Sequence, residues 1–359
     1  MKVLYFGSYS LNNQRNAILI KGLRENGVEV IECKDGSKSL LLKYVKLFFK
    51  HLRFLGKYDV MIVGFSGQEM MPLARLLTYP PFSGLTRRPI VFDVFTSHYM
   101  GYILDRKYFS PKSLRAKYYH FLDYLSCHLA DIVILDTQAH IDYFVKEFVL
   151  PKEKFRKIWL GANSEAFPYS GANLNHDSIF NVVFWGNFIP LQGVEYVIKA
   201  AKFLANEDIN LYLIGGGQTK VNNEDLAKEL ELKNVEFTGK LSDQDRNQKI
   251  AEADVCLGAF GESIKAGITI QNKIFEALCS GRAVLTARTK AIEELLTDRE
   301  NCLLCDKADP EDLVRKILEL KNNSELKNKI AKNGHEFFVE NLTEKKLGNN
   351  LLNVIKELS

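Results

Sequence analysis

Lys273 and Glu276 stand three residues apart in the stretch Gly267-Ile268-Thr269-Ile270-Gln271-Asn272-Lys273-Ile274-Phe275-Glu276-Ala277-Leu278-Cys279-Ser280-Gly281-Arg282-Ala283-Val284. The stretch reads as a loop, a short helix, a glycine C-cap and a buried strand. On a helix that spacing puts both side chains on one face, one turn apart. An ammonium near a helix start can face a phosphate, and the carboxylate beside it can accept both hydroxyls of a ribose. A surface Lys–Glu pair fits the same spacing, so the pair alone leaves both readings open.

Glycine-bearing turns supply the second set of candidates. Trp185-Gly186-Asn187-Phe188-Ile189-Pro190-Leu191-Gln192-Gly193 follows an apolar run and opens a helical one, and Gly215-Gly216-Gly217 follows the next run in the same way. Exposed amides and helix N-termini at such places favour phosphate, although turns of this kind also serve purely structural ends. Gly7-Ser8-Tyr9-Ser10 after the first run is a third such turn. No G-x-G-x-x-G fingerprint is present, so a dinucleotide cofactor loses its best support. Cys302 and Cys305 form a lone C-x-x-C without a second pair or a nearby His, which reads as two thiols at a strand end and not as a zinc site.

These residues need a scaffold that brings strand ends together. Strands are expected near Val3–Phe6, Val28–Ile31, Val60–Val63, Ile90–Val94, Ile132–Leu135 and Lys157–Leu160, with helices between them over Gln14–Glu25, Leu40–Leu55, Glu69–Leu77, Ser113–Leu129 and His140–Glu147. Residues 164–178, rich in Asn, Ser, Gly and Pro, read as a linker. A second series follows, with strands near Asn181–Trp185, Ile209–Ile214, Val235–Phe237, Val255–Leu257, Ala283–Thr286 and Cys302–Leu304. Helices Glu311–Leu320, Glu325–Val339 and Lys345–Leu358 close the chain. Continuous apolar strands alternating with helices imply parallel sheets covered on both faces. The expected fold is α/β, with two Rossmann-like domains facing across a cleft: 1–165, joined by the C-terminal helix 344–359, and 179–343. Ligands of open parallel sheets bind beyond the strands' C-terminal ends.

The bulk numbers agree with that plan. A chain of 359 residues suggests two domains at roughly 150 residues each. Hydrophobic residues at 46% supply two cores, and a net charge of +4 is too mild to argue for nucleic acid. The six cysteines sit mostly in or beside apolar runs, as buried thiols in a reducing compartment do. The apolar run at the N-terminus is too short for a signal peptide, and no stretch approaches the roughly 20 apolar residues of a membrane span. The expectation is a cytoplasmic protein, or one lying on the inner face of a membrane without crossing it.

The 267–284 stretch, the Gly186–Gly193 stretch, the triple glycine and Val235-Glu236-Phe237-Thr238-Gly239-Lys240-Leu241-Ser242 together resemble, in the right order, the C-terminal half of the retaining family-4 glycosyltransferases of GT-B fold. The resemblance continues more loosely through Asp93-Val94-Phe95-Thr96-Ser97-His98-Tyr99 and Asp105-Arg106. It implies retaining transfer of a sugar from a UDP- or GDP-sugar to a glycan or lipid-linked acceptor of the cell envelope, with no metal and no separate cofactor. By this resemblance Glu276 is the ribose-binding glutamate, and Asn272 and Lys273 lie beside the donor phosphates. Ile268, Thr269 and Ile270 offer backbone amides to the pyrophosphate, Gly186 lies under the diphosphate, and Gly215, Gly216, Lys240 and Leu241 hold the base. Gly7 belongs to the corresponding turn of the first domain. Asp93 and His98 follow the fourth strand, where a polar residue contacts the transferred sugar or orients the acceptor. The pair Asp105-Arg106 reads first as structural, and Arg15 is placed to reach an acidic acceptor.

The chain departs from the family at three positions. Ile268 stands where the first glutamate of the pair belongs, and Asn187 and Gln192 stand where the phosphate-binding Arg and Lys belong. Lys265 and Lys273 are the cations left to face the leaving diphosphate. A catalytically weak donor-binding subunit, or another GT-B enzyme such as a nucleotide-sugar epimerase, is the alternative these losses keep open. In the second helix Lys43, Lys46, Lys50, Arg53 and Lys57 recur at spacings of three and four beside an apolar arc of Leu41, Leu42, Val45, Phe48, Phe49, Leu52 and Leu55. The pattern fits an ordinary helix with a solvated lysine face, and it also fits peripheral contact with an anionic membrane through 40–55.

Overall fold

A computed structural model describes residues 1–171 and 179–358. The chain forms two compact units, Met1–Gly161 with Thr343–Ser359, and Ala162–Leu342. Of the linker expected over 164–178, residues 172–178 lie outside the described residues.

The first unit runs β1 (Lys2–Gly7), α1 (Gln14–Glu25), β2 (Glu29–Lys34), α2 (Leu40–Leu52), β3 (Val60–Val63), α3 (Met71–Leu77), β4 (Ile90–Asp93), α4 (Leu114–Leu129), β5 (Ile132–Leu135), α5 (Gln138–Phe148) and β6 (Phe155–Lys157). Its six strands are parallel in the order β2-β1-β3-β4-β5-β6, so the winding reverses between β1 and β3. Strands β3, β4 and β5 are buried at every residue, which is why they read as unbroken apolar runs. Leu4, Phe6, Met61, Val63 and Phe92 fill one face of the sheet, and Val3, Tyr5, Ile62 and Val91 fill the other.

That second face is covered by α1 and by the C-terminal helix, numbered α14 because it comes last (Glu344–Lys356), which supplies Leu347, Leu351, Val354 and Ile355. The two helices touch backbone to backbone at Gly22 and Gly348. A Cβ on Gly22 would overlap the Glu344 carbonyl, and one on Gly348 would overlap Gly22.

Two elements differ from the sequence reading. β6 lies at Phe155–Lys157, earlier than expected, and Ile158 just beyond it joins Val3, Tyr5, Ile132 and Leu347 in the core on one face of the sheet. α2 packs inward through Tyr44, Leu47, Phe48 and His51, one helical face. Most of the apolar arc beside the lysine face is exposed, with Leu41 at 75% and Phe49 at 63%. Lys46 and Lys50 instead turn back onto Ser37, Lys34 and Asp35.

The second unit runs β7 (Phe180–Asn187), α6 (Val194–Phe203), β8 (Ile209–Gly216), α7 (Lys220–Glu229), β9 (Val235–Gly239), α8 (Asp243–Glu252), β10 (Val255–Leu257), α9 (Ile264–Ile268), α10 (Asn272–Ser280), β11 (Ala283–Ala287), α11 (Lys290–Glu293), β12 (Leu303–Cys305), α12 (Pro310–Asn322) and α13 (Ser324–Asn341). The order β12-β11-β10-β7-β8-β9 is again parallel and reverses between β7 and β10. β7 and β8 run longer than expected, pairing as far as Gly186 with Gly215 and Asn187 with Gly216. Gly215 has φ +129° and a Cβ there would overlap the Gly186 carbonyl, so the pairing itself demands glycine. All six cysteines are buried free thiols, Cys305 on β12 and Cys302 just before it among them.

Candidate functional site

The crevice at a strand-order reversal is where an open α/β sheet binds its ligand, and in the second unit it lies between β7 and β10. Lys273, in the first turn of α10, extends into it. The side chain is buried, and Nζ donates to Gln192 Oε1 at 2.7 Å and lies 3.5 Å from the Gly258 carbonyl at the end of β10. Beneath it the Phe184 ring centroid is 3.3 Å from Nζ, a cation–π contact. Gly186 lies alongside, where even a Cβ would be 3.6 Å from Nζ. Burial drives the Lys273 ammonium well below the ordinary lysine value, and the charge of Glu276 opposes that shift.

Glu276, one turn along α10, is half-buried and accepts the indole N–H of Trp185 on Oε2 at 2.5 Å. Consecutive β7 residues thus serve α10 directly: Phe184 lies under the lysine, Trp185 bonds the glutamate, and Gly186 leaves space above the lysine.

The remaining positions of the second unit surround this pair along the chain. Gln271, the N-cap of α10, makes no side-chain cap to the helix amides. Gly193, with φ +62°, begins α6 without a side-chain cap either. Uncapped first-turn N–H groups favour an anion. Asn272 is half-buried and Ile270 buried. Thr269 is buried too, and as the C-cap of α9 both its amide and its hydroxyl donate back to the Lys265 carbonyl in that helix. That amide is therefore already used within the protein. Lys265 is half-buried and Asn187 exposed at the tip of β7. Gly216 ends β8, while Lys240, exposed, and Leu241, half-buried, follow β9 directly.

In the first unit Gly7 ends β1 with φ +130° beside Met70 and Val63. Asp93 closes β4 and is fully buried, not open to solvent at a strand end. Arg15 Nε reaches its carboxylate at 3.0 and 3.2 Å, and Arg15 Nη1 donates to the Ile158 and Trp159 carbonyls. Arg15 thus meets an acidic group of this chain. Burial raises the Asp93 pKa and the guanidinium pulls it back.

His98 is half-buried on a loop that Asp123 of α4 holds in place. The carboxylate accepts the Ser97 hydroxyl at 2.6 Å and the amides of His98 and Tyr99 at 3.1 and 2.8 Å. Burial pushes Asp123 up to about 6 against the pull of these donors. The His98 ring stacks on Tyr102 with centroids 5.5 Å apart, and Arg106 lies over Tyr102 and Tyr108.

Residues 179–323 match the family described as Glycosyl transferases group 1. The matched stretch lies wholly within the second unit. An uncharacterized glycosyltransferase of Methanocaldococcus jannaschii is 29% identical over 226 residues, 59% of this chain and 62% of that protein. The lipopolysaccharide core biosynthesis glycosyltransferase LpsE of Rhizobium meliloti is 27% identical over 159 residues, 44% of each chain. The match thus spans less than two thirds of each relative's length. Among solved structures, Anabaena HepE in complex with UDP gives a TM-score of 0.73 at 17% identity, covering 99% of this chain and 100% of its own. Sucrose-phosphate synthase of Thermosynechococcus elongatus gives 0.72 at 14%, covering 99% and 98%. The likeness is one of fold, and the fold is GT-B.

In the second unit the structure gathers Gly186, Gln192, Lys273 and Glu276 at one strand-end crevice. Sequence reasoning missed Trp185 and Phe184 as partners of that group, and Asp123 as the anchor of the His98 loop. A Trp two residues before the exposed end of a strand was the signal for the first. No local signal existed for Asp123, which lies mid-helix.

Proposed function

We propose that the chain transfers a sugar, with retention, from a UDP- or GDP-sugar to a glycan or lipid-linked acceptor of the cell envelope. The observation that carries this reading is Lys273 and Glu276, one turn apart on an uncapped helix, at the crevice beside Gly186 in a group 1 domain. Glu276 takes the ribose hydroxyls. Lys273, Lys265 and the amides at the start of α10 meet the diphosphate, Asn187 and Asn272 flank it, and Gly215, Gly216, Lys240 and Leu241 hold the base. The crystallisation of HepE with UDP and UDP-glucose supports a uridine donor.

In this reaction the bond from the anomeric carbon to the diphosphate breaks, and the acceptor oxygen forms its bond on the same face. The acceptor proton passes to the departing phosphate oxygen. Cations in a dry crevice stabilise the developing charge by about 3 kcal/mol each. His98 acts on the acceptor side, and Asp93 serves it indirectly by holding Arg15.

Contact with an anionic membrane surface is part of the same proposal. Among the described residues no helix is long and apolar enough to cross a membrane. α2 nevertheless exposes Leu41, Leu42, Val45 and Phe49 near Lys43 and Arg53. Apolar side chains flanked by cations bind anionic lipid, and flotation with phosphatidylglycerol vesicles but not phosphatidylcholine vesicles is the expected result.

Incubation with UDP- and GDP-sugars and pyranoside acceptors tests the activity. The expected result is nucleotide release, a product with the donor's anomeric configuration by NMR, and loss of both in Glu276→Ala. Donor turnover without acceptor would mark an epimerase. Nucleotide binding without transfer would mark a donor-binding subunit, the reading that Asn187 and Gln192 favour.

A further inference from the structure

The Trp185–Glu276 contact has a consequence for which ligand the site accepts. A glutamate on a helix surface has three rotatable bonds, and immobilising it costs up to about 2 kcal/mol of rotamer entropy. Here the cost is met before any ligand arrives, because the buried indole N–H at 2.5 Å fixes Oε2. The indole is itself held: Trp185 sits in β7, paired with Ile214 of β8, and is buried. Indole is a donor only, so the bond holds Oε2 as an acceptor. One indole N–H uses one of about four acceptor sites on a carboxylate, which leaves capacity for two vicinal hydroxyls.

We propose that Trp185 is a positioning residue that sets ribose recognition at the donor site by holding Glu276 in its hydroxyl-accepting orientation. The inference rests on the donor-site reading above and adds a specificity to it. The ligand class is a ribonucleoside diphosphate with both ribose hydroxyls present. Deoxynucleotides are discriminated against because they offer the positioned carboxylate one hydroxyl fewer.

Calorimetric titration of UDP and 3′-deoxy-UDP into wild type and Trp185→Phe tests it. Wild type is expected to bind UDP at least about tenfold more tightly than the deoxy analogue, the scale of a charge-assisted hydrogen bond. In Trp185→Phe the ratio is expected to fall to within about threefold through weaker UDP binding, with the analogue little affected. A purely structural tryptophan would weaken both ligands alike and leave the ratio intact, and that result overturns the proposal. Absence of binding of either nucleotide to wild type overturns the donor-site reading itself, and this inference with it.

A second measurement does not depend on the variant folding. The chain has two tryptophans, so Trp159→Phe makes Trp185 the sole indole reporter. Adding Glu276→Ala in that background is expected to shift the Trp185 emission, and an unchanged spectrum would show that the two side chains do not meet in solution.

Discussion

Lys273 Nζ and Gln192 Oε1 are 2.7 Å apart, both buried, and joined by residues 81 positions distant in the chain. The amide oxygen gives the buried ammonium a neutral acceptor at the reversal point of the sheet. A lysine at 192, as in the resembling family, would place a second ammonium against the first. The loss of a cation at 192 and the presence of one at 273 are therefore one feature of the site.

A cation placed at 192 should consequently do harm. Gln192→Lys is expected to destabilise the protein by about 3 kcal/mol, the scale of an uncompensated buried charge. Combining it with Lys273→Met should recover most of that loss. Urea denaturation of the two single variants and the double variant measures the coupling.

Lys273 also predicts a pH dependence. Burial lowers its folded-state pKa below the unfolded value of about 10.4. Between those values the unfolded chain holds the extra proton, so this group makes stability climb as pH rises through the window. Lys273→Met should remove that climb and leave the neutral-pH melting temperature unchanged or higher, while nucleotide affinity falls at least about tenfold. Melts from neutral to alkaline pH, with and without UDP, compare the two proteins.

Asp93 is bonded to Arg15 in the interior, and its removal strands a guanidinium there. Asp93→Ala is expected to cost about 3–5 kcal/mol, with activity lost in step with the folded fraction. Chemical denaturation beside an activity assay checks this. Activity lost from a fully stable variant would instead place Asp93 in the chemistry.

His51 is buried with Nε2 2.9 Å from the Tyr58 hydroxyl, and burial pushes it down to about 4. The unfolded chain takes up a proton near pH 6.5, the folded one only near 4. The stability this group provides is complete above 6.5 and is lost as pH falls to about 4, a change of about 3 kcal/mol. His51→Gln should flatten the acid limb of the stability profile, read by urea denaturation between pH 7 and 4.

The docking of α14 depends on two glycines. Gly22→Ala would drive a methyl group into the Glu344 carbonyl, and a cost of about 3 kcal/mol is expected. Limited proteolysis should then release the C-terminal helix earlier than in wild type.

The strands were legible where burial on both faces made them continuous, as at Val60–Val63, Ile132–Leu135 and Val255–Leu257. β6 was displaced because the apolar Ile158 and Leu160 signal burial without signalling pairing. The inward face of α2 was left open for a related reason: its apolar arc is wider than the face that the sheet can cover, and composition does not say which part is left outside. The Lys273–Glu276 pair was visible as a one-turn spacing. Its partners were not, because Trp185 and Gln192 come to it from 91 and 81 residues away. Asp93 reads as a residue that contacts sugar or acceptor because nothing in the local sequence marks Arg15, 78 residues earlier, as its partner.

The central claim is that the α10 crevice of the second unit binds a nucleotide diphosphate through Glu276 and Lys273. Calorimetric titration of UDP and of GDP into the 359-residue chain and into its Glu276→Ala variant is the direct test. The account predicts that wild type binds one of the two nucleotides and that Glu276→Ala binds it at least about tenfold more weakly with its fold intact. A wild-type protein that binds neither nucleotide, or a Glu276→Ala variant that binds as tightly as wild type, would contradict it.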